Sequence, residues 1–139
     1  MPFLEVEDYG VQIQDYELDA LTNGVDALRL KSELAAQAEM ESYLRDRFDV
    51  AVIFSKTADD RNKLIVMYLI DMALYHLFSN LTPRTVPDIR ADRYRAAIDW
   101  LRRVAKGELN PGLPLVENED GSTNGTSIFG SSTLPGYNW

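Results

Sequence analysis

Few residues in this chain could do chemistry, and their types and spacing limit what that chemistry can be. His76 is the single histidine, and there is no cysteine. This excludes a thiolate metal site, a cysteine nucleophile and a disulfide framework. One histidine near one carboxylate is too small a ligand set for zinc, and His76 reads as a half-buried packing residue. No serine sits in a GxSxG elbow, and neither a GxxxxGK[ST] loop nor a GxGxxG loop is present. The adjacent acids Asp59-Asp60 fall at a helix start and Glu119-Asp120 in a loop, so neither pair is held on opposed elements for acid–base work. The stretch from Glu117 to Ser122 lacks the alternating ligands and final glutamate of a calcium loop. The expectation is a protein that is not an enzyme, with no catalytic residue, no cofactor and no metal.

The remaining reactive-looking group is Asp71. It falls inside an otherwise apolar helical run, beside Tyr68, Tyr75 and Phe78 on the 3.6-residue period. A buried carboxylate needs a partner. The candidates are Arg90 and Arg93, early in the next helix, if the two helices pack antiparallel. The expected role is a structural ion pair.

The elements that would position these groups are mainly helical. Residues 25–48 read as a long helix with Leu30, Leu34, Met40, Leu44 and Phe48 along one broad side. Gln37 and Glu41 interrupt that stripe, so part of it is expected to be exposed or to face another subunit. Residues 61–79 are apolar nearly all round, which means burial on most sides. In residues 88–106, Tyr94, Ala97, Ile98, Leu101, Val104 and Ala105 recur at spacings of three and four and form one apolar face. Thr85 with Asp88 resembles a capping box, Pro87 suits the first turn, and Lys106, Gly107 and Pro111 form a stop. Thr57 to Asp60 repeats the capping pattern ahead of residues 61–79. Residues 49–56 carry Val50, Val52, Ile53 and Phe54 without a helical period, which predicts a short strand or extended connector. The first 24 residues predict one or two short helical pieces ending at the Asn23-Gly24 turn. The fold expected is all-α, a small bundle of about four helices.

A chain of 139 residues with 45% hydrophobic content can bury one core. Its acidic first ten residues do not resemble a signal peptide, and the run from Leu64 to Phe78 is too short to span a bilayer. The net charge of −8 argues against a general nucleic-acid binder. The charge is unevenly placed. Residues 1–60 carry 14 acids and 5 bases, residues 61–110 carry 5 acids and 9 bases, and residues 111–139 carry 3 acids and no base. An acidic face of one copy meeting a basic face of the next makes a head-to-tail contact, which can close into a ring. The surface charges expected at such a contact are Arg95, Arg102, Arg103, Glu33 and Glu39.

After Pro111 the composition changes to Gly, Ser, Thr, Asn and Pro. This divides the chain into a helical domain, 1–112, and a C-terminal arm, 113–139. Within the arm, Ile128, Phe129, Leu134, Tyr137 and Trp139 are isolated apolar anchors between small spacers, as in a segment that orders on a partner.

The order of features also carries a family resemblance. A helix ends in Tyr43-Leu44-Arg45-Asp46-Arg47-Phe48. A core helix has Leu64-Ile65 leading into Ile70-Asp71-Met72-Ala73-Leu74-Tyr75. The last helix has Arg93-Tyr94 and then the AxxWLxxxAxG segment from Ala97 to Gly107. From about residue 4 to 110, this resembles the small Mu-like phage and prophage family grouped with head-completion, or head-to-tail adaptor, proteins. The resemblance implies an α-helical adaptor that forms a ring, a dodecamer, beneath the portal protein of a tailed phage. It implies a tail-side connector or tail terminator protein as the second neighbour, no membrane and no specific nucleic-acid binding. DNA would pass through the lumen. The place would be the virion, reached from the host cytoplasm during assembly. The contrasting expectation is a small helical regulatory module binding DNA or protein through Arg90, Arg93, Arg95, Arg102 and Arg103. The Pro-rich connection before that helix does not suit a helix-turn-helix.

Overall fold

The computed structural model describes residues 2–79 and 86–116. These residues form five α-helices: α1 (Asp15–Thr22), α2 (Asp26–Leu44), α3 (Val50–Ser55), α4 (Lys63–Ser79) and α5 (Asp88–Ala105). Two 3-10 turns, Val6–Val11 and Ala58–Asp60, precede α1 and α4. Among the described residues there is no strand, only one isolated antiparallel bridge between Phe48 and Leu115. The architecture is a small all-α bundle. No described helix is long and apolar enough to cross a membrane.

The central element is α4. It packs on both α2 and α5, which also touch each other. Its apolar surface is wide because it has neighbours on most sides: Ile65, Leu69, Ile70, Met72, Ala73, Leu74 and Leu77 are all buried. Aromatic pairs align α4 with α5. Tyr68 stacks on Trp100 with ring centres 4.7 Å apart, and Tyr75 stacks on Tyr94 at 4.1 Å. Ascending order on one helix matches descending order on the other, so the two run antiparallel. Asp71 is 2% exposed, and Arg93 Nε donates to its Oδ1 at 2.7 Å. Arg90 is used differently, with Nη2 donating to the Gln12 carbonyl at 2.7 Å.

Helix ends follow local chemistry, in part at other residues than expected. Asn23 and Gly24 both take positive φ, 53° and 71°, and Gly24 N–H reaches back to the Asp19 carbonyl at 3.0 Å. This closes α1 with the left-handed motif for which Asn and Gly are suited. Gly107, at φ 82°, closes α5 in the same way, with Glu108 N–H on the Arg103 carbonyl at 2.9 Å. Pro87 lies one place earlier than expected, at the N-cap of α5 rather than inside its first turn; Thr85 lies outside the described residues. The Thr57–Asp60 pattern makes only the 3-10 turn, with no side-chain cap. The start of α4 is capped by Asn62, whose Oδ1 accepts from Leu64 N–H at 3.0 Å and Ile65 N–H at 3.1 Å.

The extended segment expected at 49–56 is a short helix instead. Asp49 caps α3 by accepting from Val52 N–H at 3.2 Å, and Ile53 is buried while Phe54 packs edge-on to Phe3 at 4.9 Å. Helix costs a β-branched residue only a few tenths of a kcal/mol, whereas a strand here would leave a row of backbone groups without partners. The extended pairing is confined to the preceding residue. Asp49 N–H donates to the Pro114 carbonyl at 2.9 Å, and Val116 N–H donates to the Arg47 carbonyl at 3.0 Å. Leu113 is buried, so residues 113–116, where the arm was expected to begin, lie against the body. Replacing Asp49 by alanine removes the cap and costs ~1 kcal/mol. A urea midpoint lowered by that amount at unchanged m-value is the expected measurement.

Candidate interface surfaces

The outer side of α5 presents its cations to solvent. Arg95 pairs only locally, with Asp92 at 2.7 Å, and Arg103 lies 3.5 Å from Glu108. Both pairs are exposed, so they are screened by water and hold the side chains weakly. Arg102 is exposed and has no ion-pair partner among the described residues. Arg90 and Arg93 point the other way and are engaged by Gln12 and Asp71. The basic surface is therefore three residues wide, narrower than five arginines in one helix imply.

Beside this row is an open cleft of about 590 Å3 lined by Glu39, Tyr43, Tyr94, Arg95, Asp99 and Arg102. Its floor is a hydrogen-bonded cluster. Tyr94 Oη donates to Glu39 Oε2 at 2.6 Å, and His76 Nε2 lies 3.3 Å from Glu39 Oε1. Burial first, then the hydrogen bond and charge of Glu39, push the Tyr94 hydroxyl above its ordinary pKa, so it stays a donor. Glu39 is thus tied to two side chains of its own subunit and is only partly available at the surface.

Glu33 corrects the sequence expectation outright. It was expected on an outer face, but it is 5% exposed. Its Oε2 accepts from Tyr9 Oη at 2.7 Å and Arg29 Nη1 at 2.6 Å. Burial first, and then the Glu33 charge and hydrogen bond, raise the Tyr9 hydroxyl far above the tyrosine range. Tyr9 is itself fully buried, so this cluster is an internal fastening of the N-terminal segment to α2. The acids that do face solvent are on and around α1: Asp15, Glu17, Asp19 and Asp26 are exposed, with no ion-pair partner among the described residues. The charge count of residues 1–60 contained the signal for them, since a short helix with three acids and no base cannot neutralise itself.

Among the described residues no three metal-ligating side chains come together. The apolar anchors expected on the arm, Ile128, Phe129, Leu134, Tyr137 and Trp139, lie outside the described residues. The AxxWLxxxAxG segment has a packing explanation. Ala97, Trp100 and Leu101 are buried against α4, and Gly107 supplies the positive φ of the helix stop.

A protein-family model described as Bacteriophage Mu, Gp36 matches residues 4–129. No curated protein and no solved structure gives a significant match.

Proposed function

The chain belongs to the Bacteriophage Mu Gp36 family, and from that premise we propose that it is a structural head-to-tail connector protein of a tailed phage. In this reading it assembles as a ring beneath the portal protein, with a tail-side connector or terminator protein on its other face, and DNA passes through the lumen. The observation that carries the reading is the family match across nearly the whole chain. Two features of the surface support it. The exposed acids of α1 and the exposed arginines of α5 are opposite in sign, the acids without ion pairs among the described residues and the arginines held at most by local, solvent-screened pairs, which favours a head-to-tail contact between copies. The overall net charge of −8 suits a channel that must let DNA slide, because strong phosphate contacts would retard it.

The test is to mix the purified protein with the portal protein of the same phage or prophage and image the product by electron microscopy. The expected result is a ring seated on the portal. A protein that stays monomeric at virion-like concentration, with and without the portal, overturns the reading.

A further inference from the structure

We infer that Tyr16 of one copy seats in the cleft between α2 and α5 of the next, with Asp15 and Asp19 reaching Arg95 and Arg102. Such a contact rests on the connector reading above and adds which residues would build the ring.

The projecting element is α1. Tyr16 is 72% exposed and is the one aromatic among the exposed large apolar residues of the described chain. The helix buries Leu18 and Thr22, and at 3.6 residues per turn Tyr16 falls on the other side. Asp15 precedes it, and Asp19, three residues on, shares its face. Both acids are exposed and have no ion pair among the described residues. A single exposed tyrosine is ordinary; a tyrosine between two unpaired carboxylates becomes informative when a matching socket exists.

The cleft is that socket. Its volume of about 590 Å3 is in the range that seats a small molecule, and so a large side chain. Tyr43, Tyr94 and Ile98 form its less polar wall. Tyr94 is already held by stacking on Tyr75 and by its bond to Glu39, so little ordering is left to be done on docking. Arg95, Asp99 and Arg102 follow at i, i+4 and i+7 along the rim, and all three are exposed. The rim therefore alternates cation, anion, cation. Against it α1 offers carboxylate, phenol, carboxylate. The two carboxylates meet the two arginines, and the phenol hydroxyl, which can donate, meets Asp99. Asp15 and Asp19 are about 6 Å apart along their helix and Arg95 and Arg102 about 10 Å along theirs, a difference that long arginine side chains cover. The aromatic ring in the cleft supplies most of the affinity, and the charges fix its orientation.

No α1 residue lines the cleft of its own subunit. Projection and socket are different surfaces, so the contact leaves one of each free on every pair and repeats from copy to copy, as a ring requires. The complementary charges commit the occupant to a second copy of this chain.

The chain has no cysteine, so the contact can be trapped by placing two. A short bismaleimide added to Asp19→Cys/Arg102→Cys should give a ladder of covalent dimers, trimers and higher species on a denaturing gel, while each single variant stops at dimer. Loss of one exposed pair costs the contact little, so the double variant still assembles. Tyr16→Ala keeps the subunit fold by circular dichroism, because the side chain it removes is exposed. It should weaken association about tenfold or more in sedimentation velocity. Rings of the native protein without the ladder, or association unchanged in Tyr16→Ala, overturn this contact and leave the ring reading standing. A native protein that does not associate, with or without the portal, overturns both.

Discussion

Replacing Arg61 by alanine lowers the unfolding free energy by about 3–5 kcal/mol. Arg61 is only 9% exposed, and all three of its guanidinium nitrogens are engaged. Nε donates to the Ala58 carbonyl at 2.8 Å, Nη1 to the Phe3 carbonyl at 3.0 Å and to Asp8 Oδ2 at 2.5 Å, and Nη2 to Asp8 Oδ1 at 3.0 Å. Its guanidinium carbon also lies 5.8 Å from the centre of the Phe3 ring. One side chain thus joins the N-terminal segment to the turn before α4. Alanine leaves the part-buried Asp8 carboxylate with only the Glu5 N–H, takes from the Phe3 carbonyl the guanidinium donor and from the Ala58 carbonyl all but the long backbone contact of residue 61, and removes the guanidinium beside Phe3. Against a typical domain stability of about 5–15 kcal/mol, this is the most damaging single truncation expected outside the apolar core. Urea denaturation measures it, and a loss under about 1 kcal/mol refutes it.

The same variant changes the acid response. Burial alone would raise the Asp8 carboxyl. The Arg61 hydrogen bond, the Glu5 backbone N–H and the charges of Arg61 and Lys63 outweigh burial and hold it below the ordinary aspartate value of 3.8. A depressed folded-state pKa means that the stabilisation is fully present above 3.8 and is lost as pH falls through the lower folded value. Asp71 has the opposite sign. Burial outweighs Arg93 and Arg90 and raises its carboxyl, so its contribution is greatest below 3.8 and is lost as pH rises through the folded value. That contribution is common to both proteins and cancels in the comparison. The native protein therefore shows a steeper acid-side slope from Asp8 than Arg61→Ala, which keeps only the Glu5 N–H and the Lys63 charge. Equal slopes in the two proteins would mean that Arg61 does not hold Asp8.

The second large effect is on assembly. If the copies assemble into the proposed ring, reversing Arg95, Arg102 and Arg103 to glutamate together is expected to leave monomers. The three side chains are exposed and their only ion pairs are local, so the fold of each subunit changes by no more than about 1 kcal/mol. In the proposed ring each contact between copies would lose an attraction and gain a like-charge opposition worth several kcal/mol. At about 4 kcal/mol that is roughly a thousandfold in affinity, repeated around the ring. Sedimentation velocity distinguishes the two states. Reversing Asp15, Glu17 and Asp19 to lysine in the same chain should restore the ring, because the signs are opposed again. Rings that survive the arginine reversal place the contact elsewhere on the subunit.

The parts of this molecule visible in its sequence are those whose cause is local. The row from Tyr94 to Val104, the Gly107 stop and the Asn23-Gly24 turn each declare themselves within a few residues, and the structure has them there. The Asp71 ion pair was legible because a carboxylate in an apolar helix demands a partner and two arginines followed it. What was hidden depends on distant contacts. Glu33 four residues after Arg29 reads as an ordinary surface pair; only Tyr9, 24 positions away in sequence, makes it internal. Residues 50–55 have strand-forming side chains, and the decision for helix comes from Asp49 and from the lack of a second strand. Leu34 is apolar and near the stripe in period, but the buried face of α2 runs through Arg29, Ser32, Glu33, Ala36, Met40 and Leu44 and leaves Leu34 exposed.

The bridge between Phe48 and Leu115 also sets how the subunit bears load. A pull applied beyond Val116 reaches the Val116–Arg47 hydrogen bond first, then the seat of Leu115, then the Asp49–Pro114 bond, then buried Leu113. Only after these give way does tension reach Gly107 and the end of α5. Traction on the C-terminal end is thus delivered to the junction of α2 and α3, on the far side of a short row of contacts that break in sequence. The central helices are shielded from it, as the post is shielded by a rope turned round a cleat.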